Sequence, residues 1–146
     1  RLLPRYKFHG DLAAGRLLAQ LMAQAWSGDV RPQALVPVPL HQARLRRRGY
    51  DQALELARPL ATALDLPLRC DLLQRVRATA AQSQLDAASR RRNLRGAFRA
   101  EGRELPAHVA LVDDVMTTGA TVHAAAEALR QAGVARVDAW VCARAP

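Results

Sequence analysis

The sequence contains little lysine, few aromatic residues and little cysteine, and each shortage excludes a class of protein. Lys7 is the only lysine, and it does not stand in a Gly-Lys-Ser/Thr loop, so a P-loop nucleotide-binding site is excluded. Aromatic residues make up 4% of the chain, which argues against a platform for stacking nucleic-acid bases. Cys70 and Cys142 are too far apart for a CxxC metal motif. We expect two buried thiols in a reducing cytosol, with a disulfide as the alternative.

Long hydrophobic runs are also absent. No run approaches the roughly 18 apolar residues that a membrane-spanning helix requires. The first ten residues are charged and aromatic, unlike a signal peptide, so we expect a cytoplasmic protein without membrane contact. Half of the residues are hydrophobic and no break in composition divides the chain, which predicts one domain over residues 1–146.

Arginine supplies almost all of the basic charge. The chain has 22 Lys plus Arg against 13 Asp plus Glu, a net charge of +9. Residues 44–48 and 77–99 together hold ten arginines and one acid, a clustering that a coding bias for arginine does not explain. We therefore expect these two segments to bind an anionic ligand, although a solvated basic surface is the simpler alternative.

Helices alternate with strands along the chain, which predicts an α/β fold with a mostly parallel sheet. Apolar spacing predicts helices over residues 11–27, 51–66 and 122–132, with Pro59 beginning a second turn or a kink. The first helix is expected to bury Leu12, Leu17, Leu18, Leu21, Met22 and Trp26.

Apolar runs predict strands over residues 34–38, 68–76, 109–112 and 136–143. Two prolines near the first of these strands argue against a central position in the sheet. Residues 40–49 are expected to form a basic loop.

The segment from Val109 to Thr121 carries the strongest functional signal. An apolar strand leads into Asp113 and Asp114, and ligands of open α/β sheets bind at the carboxyl ends of strands. The following turn opens a helix, where backbone N–H groups favour an anion. We infer a site for a phosphate at one end of a ligand and for hydroxyls or a metal at the other, as in ribose 5-phosphate. The phosphate would contact Thr117, Thr118, Gly119, Ala120 and Thr121.

Two simpler interpretations explain less of this segment. Helix capping accounts for one acid and one threonine, but not for two adjacent acids followed by three threonines around a glycine. A Walker B strand also ends in acids, but its Walker A partner is missing.

The same segment resembles the 13-residue signature of the type I phosphoribosyltransferases. Together with Val36–His41, Arg46–Ala53 and Arg90–Phe98, it resembles the ComF family of competence-associated, phosphoribosyltransferase-like proteins. The resemblance implies a type I phosphoribosyltransferase fold: a mostly parallel sheet with helices on both faces and a flexible lid loop. It also implies a Cys-rich, zinc-binding N-terminal segment in full-length members, which has been removed here or is lacking in this member.

The resemblance further implies a role for each motif. Asp113 and Asp114 would be the catalytic residues, bonding the ribose hydroxyls and holding Mg²⁺ through water. Residues 117–121 would bind the 5-phosphate. Pyrophosphate would be bound by His41, Arg44, Arg46, Arg47 and Arg48. The lid loop would include Arg77, Thr79, Gln82, Gln84 and Arg90.

The function implied is transfer of ribose 5-phosphate from Mg²⁺-phosphoribosyl pyrophosphate to a nitrogen nucleophile, with release of pyrophosphate. The alternative is a non-catalytic competence or DNA-uptake protein that binds single-stranded DNA or a helicase. A regulator that only senses the ligand is a third reading, and a homodimer is open in each case. Stacking residues for an acceptor would be Tyr6, Phe8, Tyr50 and Phe98.

Overall fold

The computed structural model describes residues 11–26, 28, 30–77, 87–116 and 118–145. In chain order the elements are α1 (Leu12–Ala25), β1 (Ala34–Pro37), α2 (Gln42–Arg48), α3 (Gln52–Leu64), β2 (Leu73–Arg75), α4 (Ala87–Leu94), β3 (Phe98–Ala100), β4 (His108–Met116), α5 (Ala120–Ala132) and β5 (Arg136–Arg144). Within these residues no helix is both long and apolar enough to cross a membrane.

Strands β1, β4 and β5 form a parallel sheet in the order β1-β4-β5. The central strand is β4, whose first five residues are buried, as expected of a strand covered on both faces. Among the described residues, strand β1 pairs with β4 on one side and forms a single bridge, from Leu35 to Leu68, on the other. The parallel sheet and the non-central position of the first strand are confirmed. Strands β2 and β3 form a separate antiparallel pair.

Helices cover both faces of the parallel sheet because alternate residues of β4 point in opposite directions. Ala110 and Val112 lie in a core with residues of α1 and α3, whereas Val109 and Leu111 lie in a second core with residues of α5. The expected core residues of α1 are confirmed in part: Leu18 and Met22 pack against the core, whereas Leu12, Leu17 and Leu21 are exposed and the buried positions are Ala14, Gly15 and Ala19. Small residues take the most buried positions of α1, so the positions of large side chains alone did not define its core face.

Residues 40–49 are not a loop. They contain helix α2, whose first turn is capped by His41: Nδ1 accepts a hydrogen bond from the N–H of Ala43 at 3.2 Å. Gly49, with φ of 77°, ends the helix. The loop prediction was wrong because α2 has no apolar stripe, yet its Gln, Ala, Leu and Arg residues have high helix propensity.

Two further boundaries differ from the prediction. Helix α3 runs unbroken through Pro59 from Gln52 to Leu64, and it buries Leu56 and Leu60 on either side of that proline. The strand expected over residues 68–76 is reduced to β2 and the single bridge at Leu68, because the chain bends in between. Cys70 lies in that bend and is exposed, contrary to the expectation of two buried thiols; Cys142 is half-buried, and both cysteines are free.

Candidate functional site

The two adjacent acids lie in the carboxyl-terminal half of β4, which continues to Met116. Each carboxylate accepts a hydrogen bond from the N–H of the next residue: Asp113 Oδ1 from Asp114 at 2.9 Å, and Asp114 Oδ1 from Val115 at 2.8 Å. Asp114 is only 9% exposed, and its Oδ2 is buried without a hydrogen-bond partner among the described residues. A buried carboxylate oxygen of this kind is costly unless a ligand engages it.

The electrostatics of this region disfavour negative charge. Burial, and then the charge of Asp114, raise the pKa of Asp113 to about 8. Asp51, at the start of α3, lies near both acids; burial raises its pKa, and Asp114 adds to the effect. Strongly perturbed carboxyls that share a buried position are typical of binding and catalytic sites, where a cation or a hydrogen-bond donor relieves the repulsion.

The side chains of the two acids lie on opposite faces of the sheet. Asp113 lines a small cavity together with Met116, Gly119 and Thr121, on the side of the sheet that α5 covers. Asp114 lies on the α3 side, where its charge acts on Asp51 and, after burial, helps to raise the pKa of Cys142. A ligand that contacts both carboxylates therefore has to sit at the carboxyl end of β4, where the two faces meet.

The expected phosphate loop leads into the N-terminus of α5. Thr117 lies outside the described residues, whereas Thr118 is exposed and its Oγ1 accepts a hydrogen bond from the N–H of Ala120 at 3.3 Å. Gly119 is the N-cap, with φ of 81°, and makes no side-chain cap bond. Neither acid caps α5, so the capping interpretation is wrong for Asp113 and Asp114. A helix N-terminus without a side-chain cap, beside the small side chains of Ala120 and Thr121, has the character of an anion site.

Helix α2 carries the expected pyrophosphate-binding residues. Arg44 is half-buried, and Arg46 and Arg47 are exposed. Arg48 belongs to α2, but its side chain lies outside the description. The Nδ1 atom of His41 is used in the helix cap, and His41 is half-buried.

The expected lid loop is described only at its ends. Thr79, Gln82 and Gln84 lie outside the described residues. At one end Arg77 is exposed and donates a hydrogen bond to the carbonyl of Arg95. Arg90 belongs to helix α4, whose last residue, Leu94, is buried against the α5 core. Residues 87–94 form helix α4, so this end of the expected lid loop is helical.

Arg75 is a residue that sequence reasoning missed. It is 9% exposed, pairs with Phe98 across β2 and β3, and places its guanidinium carbon 5.3 Å from the centre of the Phe98 ring. Burial lowers the pKa of Arg75 and nearby Arg44 lowers it further, while Asp113 acts in the opposite direction. The alternation of side chains along β2 could have indicated the burial of Arg75, because Arg75 lies on the same face of the strand as buried Leu73. Phe98, itself buried under this guanidinium, is poorly placed to stack on an acceptor.

Comparison with known sequences agrees with this arrangement. Residues 50–146 match the family model of the phosphoribosyl transferase domain. The chain is 40% identical over 153 aligned residues to competence protein F of Haemophilus influenzae, covering 99% of this chain and 67% of that protein. It is 41% identical over 128 residues to the DNA utilization protein YhgH of Escherichia coli K12, covering 88% of this chain but only 56% of that protein. Competence protein ComFC of Streptococcus pneumoniae is 28% identical over 140 residues, with 96% and 60% covered.

A solved structure also resembles the chain. The glutamine phosphoribosylpyrophosphate amidotransferase of B. subtilis, complexed with ADP and GMP, superimposes with a TM-score of 0.61 at 22% identity, covering 90% of this chain and 26% of that one. The fold expected from the sequence, a type I phosphoribosyltransferase fold with helices on both faces of a parallel sheet, is confirmed.

Proposed function

The chain belongs to the phosphoribosyl transferase domain family and, within it, to the ComF group; we propose that it binds Mg²⁺-phosphoribosyl pyrophosphate and transfers ribose 5-phosphate to a nitrogen nucleophile. The observation that carries the proposal is the adjacency of two kinds of group. Half-buried Asp113, with its raised pKa, and buried Asp114 lie in the carboxyl-terminal half of β4, and the turn after β4 leads into the N-terminus of α5, whose N-cap Gly119 makes no side-chain cap bond. Such a pair suits a ligand with vicinal hydroxyls and a phosphate.

In this proposal Asp113 and Asp114 accept hydrogen bonds from the 2′- and 3′-hydroxyls of the ribose. The 5-phosphate lies against the backbone N–H groups at the start of α5 and the hydroxyls of residues 117–121. Both interactions fix the orientation of the sugar ring, so that C1 faces the acceptor. Correct positioning of two reactants can supply a large share of catalysis without any nucleophilic side chain.

The carboxylates also fit a magnesium ion. Asp114 Oδ2 is buried without a partner among the described residues, and carboxylate oxygens are hard ligands of the kind that Mg²⁺ prefers. No group of three or more potential metal-ligating side chains occurs within the described part of the chain, so Asp113 or Asp114 would hold the ion together with water and ligand phosphate oxygens. When bound, the ion would neutralise charge on the diphosphate.

The proposed reaction balances without a redox partner. The bond from C1 to the diphosphate oxygen breaks, the bond from C1 to the acceptor nitrogen forms, and that nitrogen releases a proton to solvent. The arginines of α2 would stabilise the charge that develops on the departing diphosphate. Of these, Arg44 is half-buried, whereas Arg46 and Arg47 are exposed.

Pyrophosphate release tests the proposal. Purified protein with Mg²⁺ and phosphoribosyl pyrophosphate is offered purine, pyrimidine and amine acceptors, and free pyrophosphate is measured over time. We expect release with at least one acceptor class, and its loss in the Asp113→Asn, Asp114→Asn double variant. Glu101→Gln, which changes an exposed acid paired with Arg99 on the surface, is the matched control and should remain active. Absence of both release and ligand binding by calorimetry would refute the proposal.

A second candidate function is binding of single-stranded DNA, alone or with a helicase. The relatives are named for competence and DNA utilization, and exposed arginines occur on α2 and, at positions 92 and 95, at the end of α4. The chain spans between about half and two thirds of the length of these relatives, so the activity of the whole proteins stays a proposal here.

Salt dependence distinguishes this function from sugar-phosphate binding. If arginines contact DNA phosphates, the logarithm of the affinity falls linearly with the logarithm of the salt concentration, with a slope of about −0.7 per contact. The double variant Arg46→Gln, Arg47→Gln should make that slope shallower, whereas Arg130→Gln on the exposed side of α5 should leave it unchanged. Affinity that is absent, or insensitive to salt, would remove this candidate.

A further inference from the structure

Strand β5 is an open edge of the parallel sheet. It is nine residues long and pairs with β4, and no other strand of the described chain pairs with its opposite side. The N–H of Arg136 donates to the carbonyl of Ala107, just before β4. Because the backbone groups of a strand point alternately to its two sides, those of Val137 and Ala139 point away from β4. Edge strands are commonly protected by lysine or proline, and β5 contains neither, so it can accept a further strand.

An apolar groove runs beside this edge. It has a volume of about 270 Å³ and is formed by the end of α1 and the middle of β5, with the lining residues Met22, Ala25, Trp26, Ala139, Trp140 and Val141. On α1, Leu17 and Leu21 are exposed and lie two turns and one turn before Ala25, so the exposed apolar side of the helix continues into the groove. An edge strand with such a groove beside it is suited to an extended segment, because the backbone supplies hydrogen bonds and the groove takes alternate side chains.

The charges of β5 indicate the chemistry of that segment. The strand begins with Arg136 and ends with Arg144, both exposed, and the side chains between them are apolar except for Asp138. Asp138 is already engaged, by His108 at 2.7 Å and by Arg136 at 3.1 Å. Opposite charges across a strand pair stabilise the pairing, so a complementary segment is apolar in its middle and acidic at its ends.

A second copy of the chain fits this edge less well. Antiparallel pairing of β5 with the β5 of another copy over its full length places Arg136 opposite Arg144 at both ends, and like charges directly opposite each other are destabilising. The net charge of +9 adds a general repulsion between copies. Nucleic acid would match the basic charge, but it has no peptide N–H and C=O groups with which to extend a sheet. The edge therefore favours a segment of a different protein.

We propose that β5 and the groove it forms with α1 are a docking surface for another protein, whose extended, apolar, acid-ended segment adds to the sheet as a further strand beside β5. An apolar side chain of this segment fills the groove, and its acidic ends pair with Arg136 and Arg144. This docking does not depend on the proposed reaction, because none of the residues that carry it belongs to the proposed sugar-phosphate site.

Synthetic peptides of nine residues, the length of β5, test the inference. The first peptide carries two acidic residues at each end and alternating valine and threonine between them, and a matched peptide carries lysines at its ends. Binding to the purified chain is followed by calorimetry and by the fluorescence of Trp26 and Trp140, whose side chains line the groove. The acidic peptide should bind at least about tenfold more tightly than the lysine peptide. N-methylation of one alternate set of its backbone nitrogens should weaken binding at least about tenfold, and N-methylation of the other set should not.

Substitutions in the chain locate the binding. Arg144→Glu should weaken the acidic peptide about fivefold or more, whereas Arg130→Glu, on the exposed side of α5, should leave its affinity unchanged. Ala25→Gln places a larger polar side chain in the groove and should weaken the peptide as well. Ala13→Gln is the matched control, since Ala13 is an exposed alanine about 18 Å away along α1.

Each contrary result overturns the proposal. Absence of peptide binding, equal affinity for the acidic and the lysine peptide, or equal effects of the two N-methylated sets would do so. A dimer in analytical ultracentrifugation that Ala139→Lys dissociates would show that a second copy occupies the edge. A single-stranded oligonucleotide that binds more tightly than the peptide, and is lost in Ala25→Gln, would assign the groove to nucleic acid. If Ala25→Gln does not fold, the peptide comparisons decide, since they use the wild-type chain.

Discussion

Replacing Asp113 with asparagine should make the free protein more stable at neutral pH. The folded protein keeps a proton on Asp113 up to about pH 8, because burial and Asp114 raise its pKa to about 8 from the ordinary value of 3.8. Between these two values the folded state binds a proton that the unfolded chain has released, so the free energy of unfolding falls by about 1.4 kcal/mol per pH unit. By pH 7 the loss amounts to about 4 kcal/mol, and above pH 8 the curve becomes flat.

Asparagine resembles the protonated acid in shape and carries no charge at any pH. Asp113→Asn should therefore raise the free energy of unfolding by up to about 4 kcal/mol at pH 7 and by almost nothing near pH 4. Urea denaturation with a chelator present measures both values, since Trp26 and Trp140, whose rings lie 5.9 Å apart across α1 and β5, report unfolding by fluorescence. A gain of equal size at both pH values, or no gain at pH 7, would refute the assignment of a strained carboxyl.

Asp138→Asn is a control with the opposite sign. Burial alone would raise the pKa of Asp138, but hydrogen bonds from His108 and Arg136 outweigh it and lower the pKa. A carboxyl group whose pKa is lowered by folding stabilises the protein at pH values above its pKa in the unfolded chain. This stability is lost as the pH falls through the pKa of the folded protein. Asp138→Asn should therefore destabilise the protein at pH 7, and the difference should shrink in acid.

Four further substitutions test the site and the core. Gly119→Ala and Gly49→Ala each place a side chain at a left-handed position, with φ of 81° and 77°, and each should cost about 1 kcal/mol in urea denaturation. Only Gly119→Ala should also weaken ribose 5-phosphate binding in calorimetry, since Gly119 belongs to the proposed phosphate loop, whereas Gly49 ends α2. His108→Ala breaks a 2.7 Å contact with a carboxylate at the start of the sheet and should cost about 1–3 kcal/mol without affecting ligand binding. Leu56→Ala removes a fully buried side chain of α3 and should lower the free energy of unfolding by about 2–5 kcal/mol. A smaller decrease in urea denaturation would contradict this prediction.

The sequence is most informative where the apolar pattern and the residues that end helices or strands indicate the same element. Strand β4 is predictable because a strand covered on both faces is apolar at successive positions, and α5 because its apolar spacing ends at Gly133. Since a ligand in an α/β sheet binds where strands end, the position of Asp113 and Asp114 after an apolar run is enough to predict that they belong to the site. The neighbouring acid Asp51 is predictable only as a helix N-cap, and its proximity to the pair depends on tertiary packing.

The remaining features depend on contacts that a single sequence does not encode locally. Helix α2 packs little of its surface into a core and has no apolar stripe. The spacing of apolar residues therefore could not predict it. The core face of α1 was predicted only in part, because small residues such as Ala19 take its most buried positions while Leu12, Leu17 and Leu21 are exposed. Arg75 was overlooked because arginine is expected at the surface, and its contact with the Phe98 ring depends on the pairing of β2 with β3.

Asp113 and Asp114 belong to different layers of the molecule: one faces α5 and the other faces α3. A molecule that bonds to both carboxylates would connect the two hydrophobic cores, which lie on opposite faces of the parallel sheet. Its binding free energy would then stabilise both layers together, and hydrogen exchange in α3 and in α5 should slow by the same factor when the ligand is added. A ligand that engages only the α5 side would slow exchange there alone, so the pattern of protection shows which carboxylates are in use.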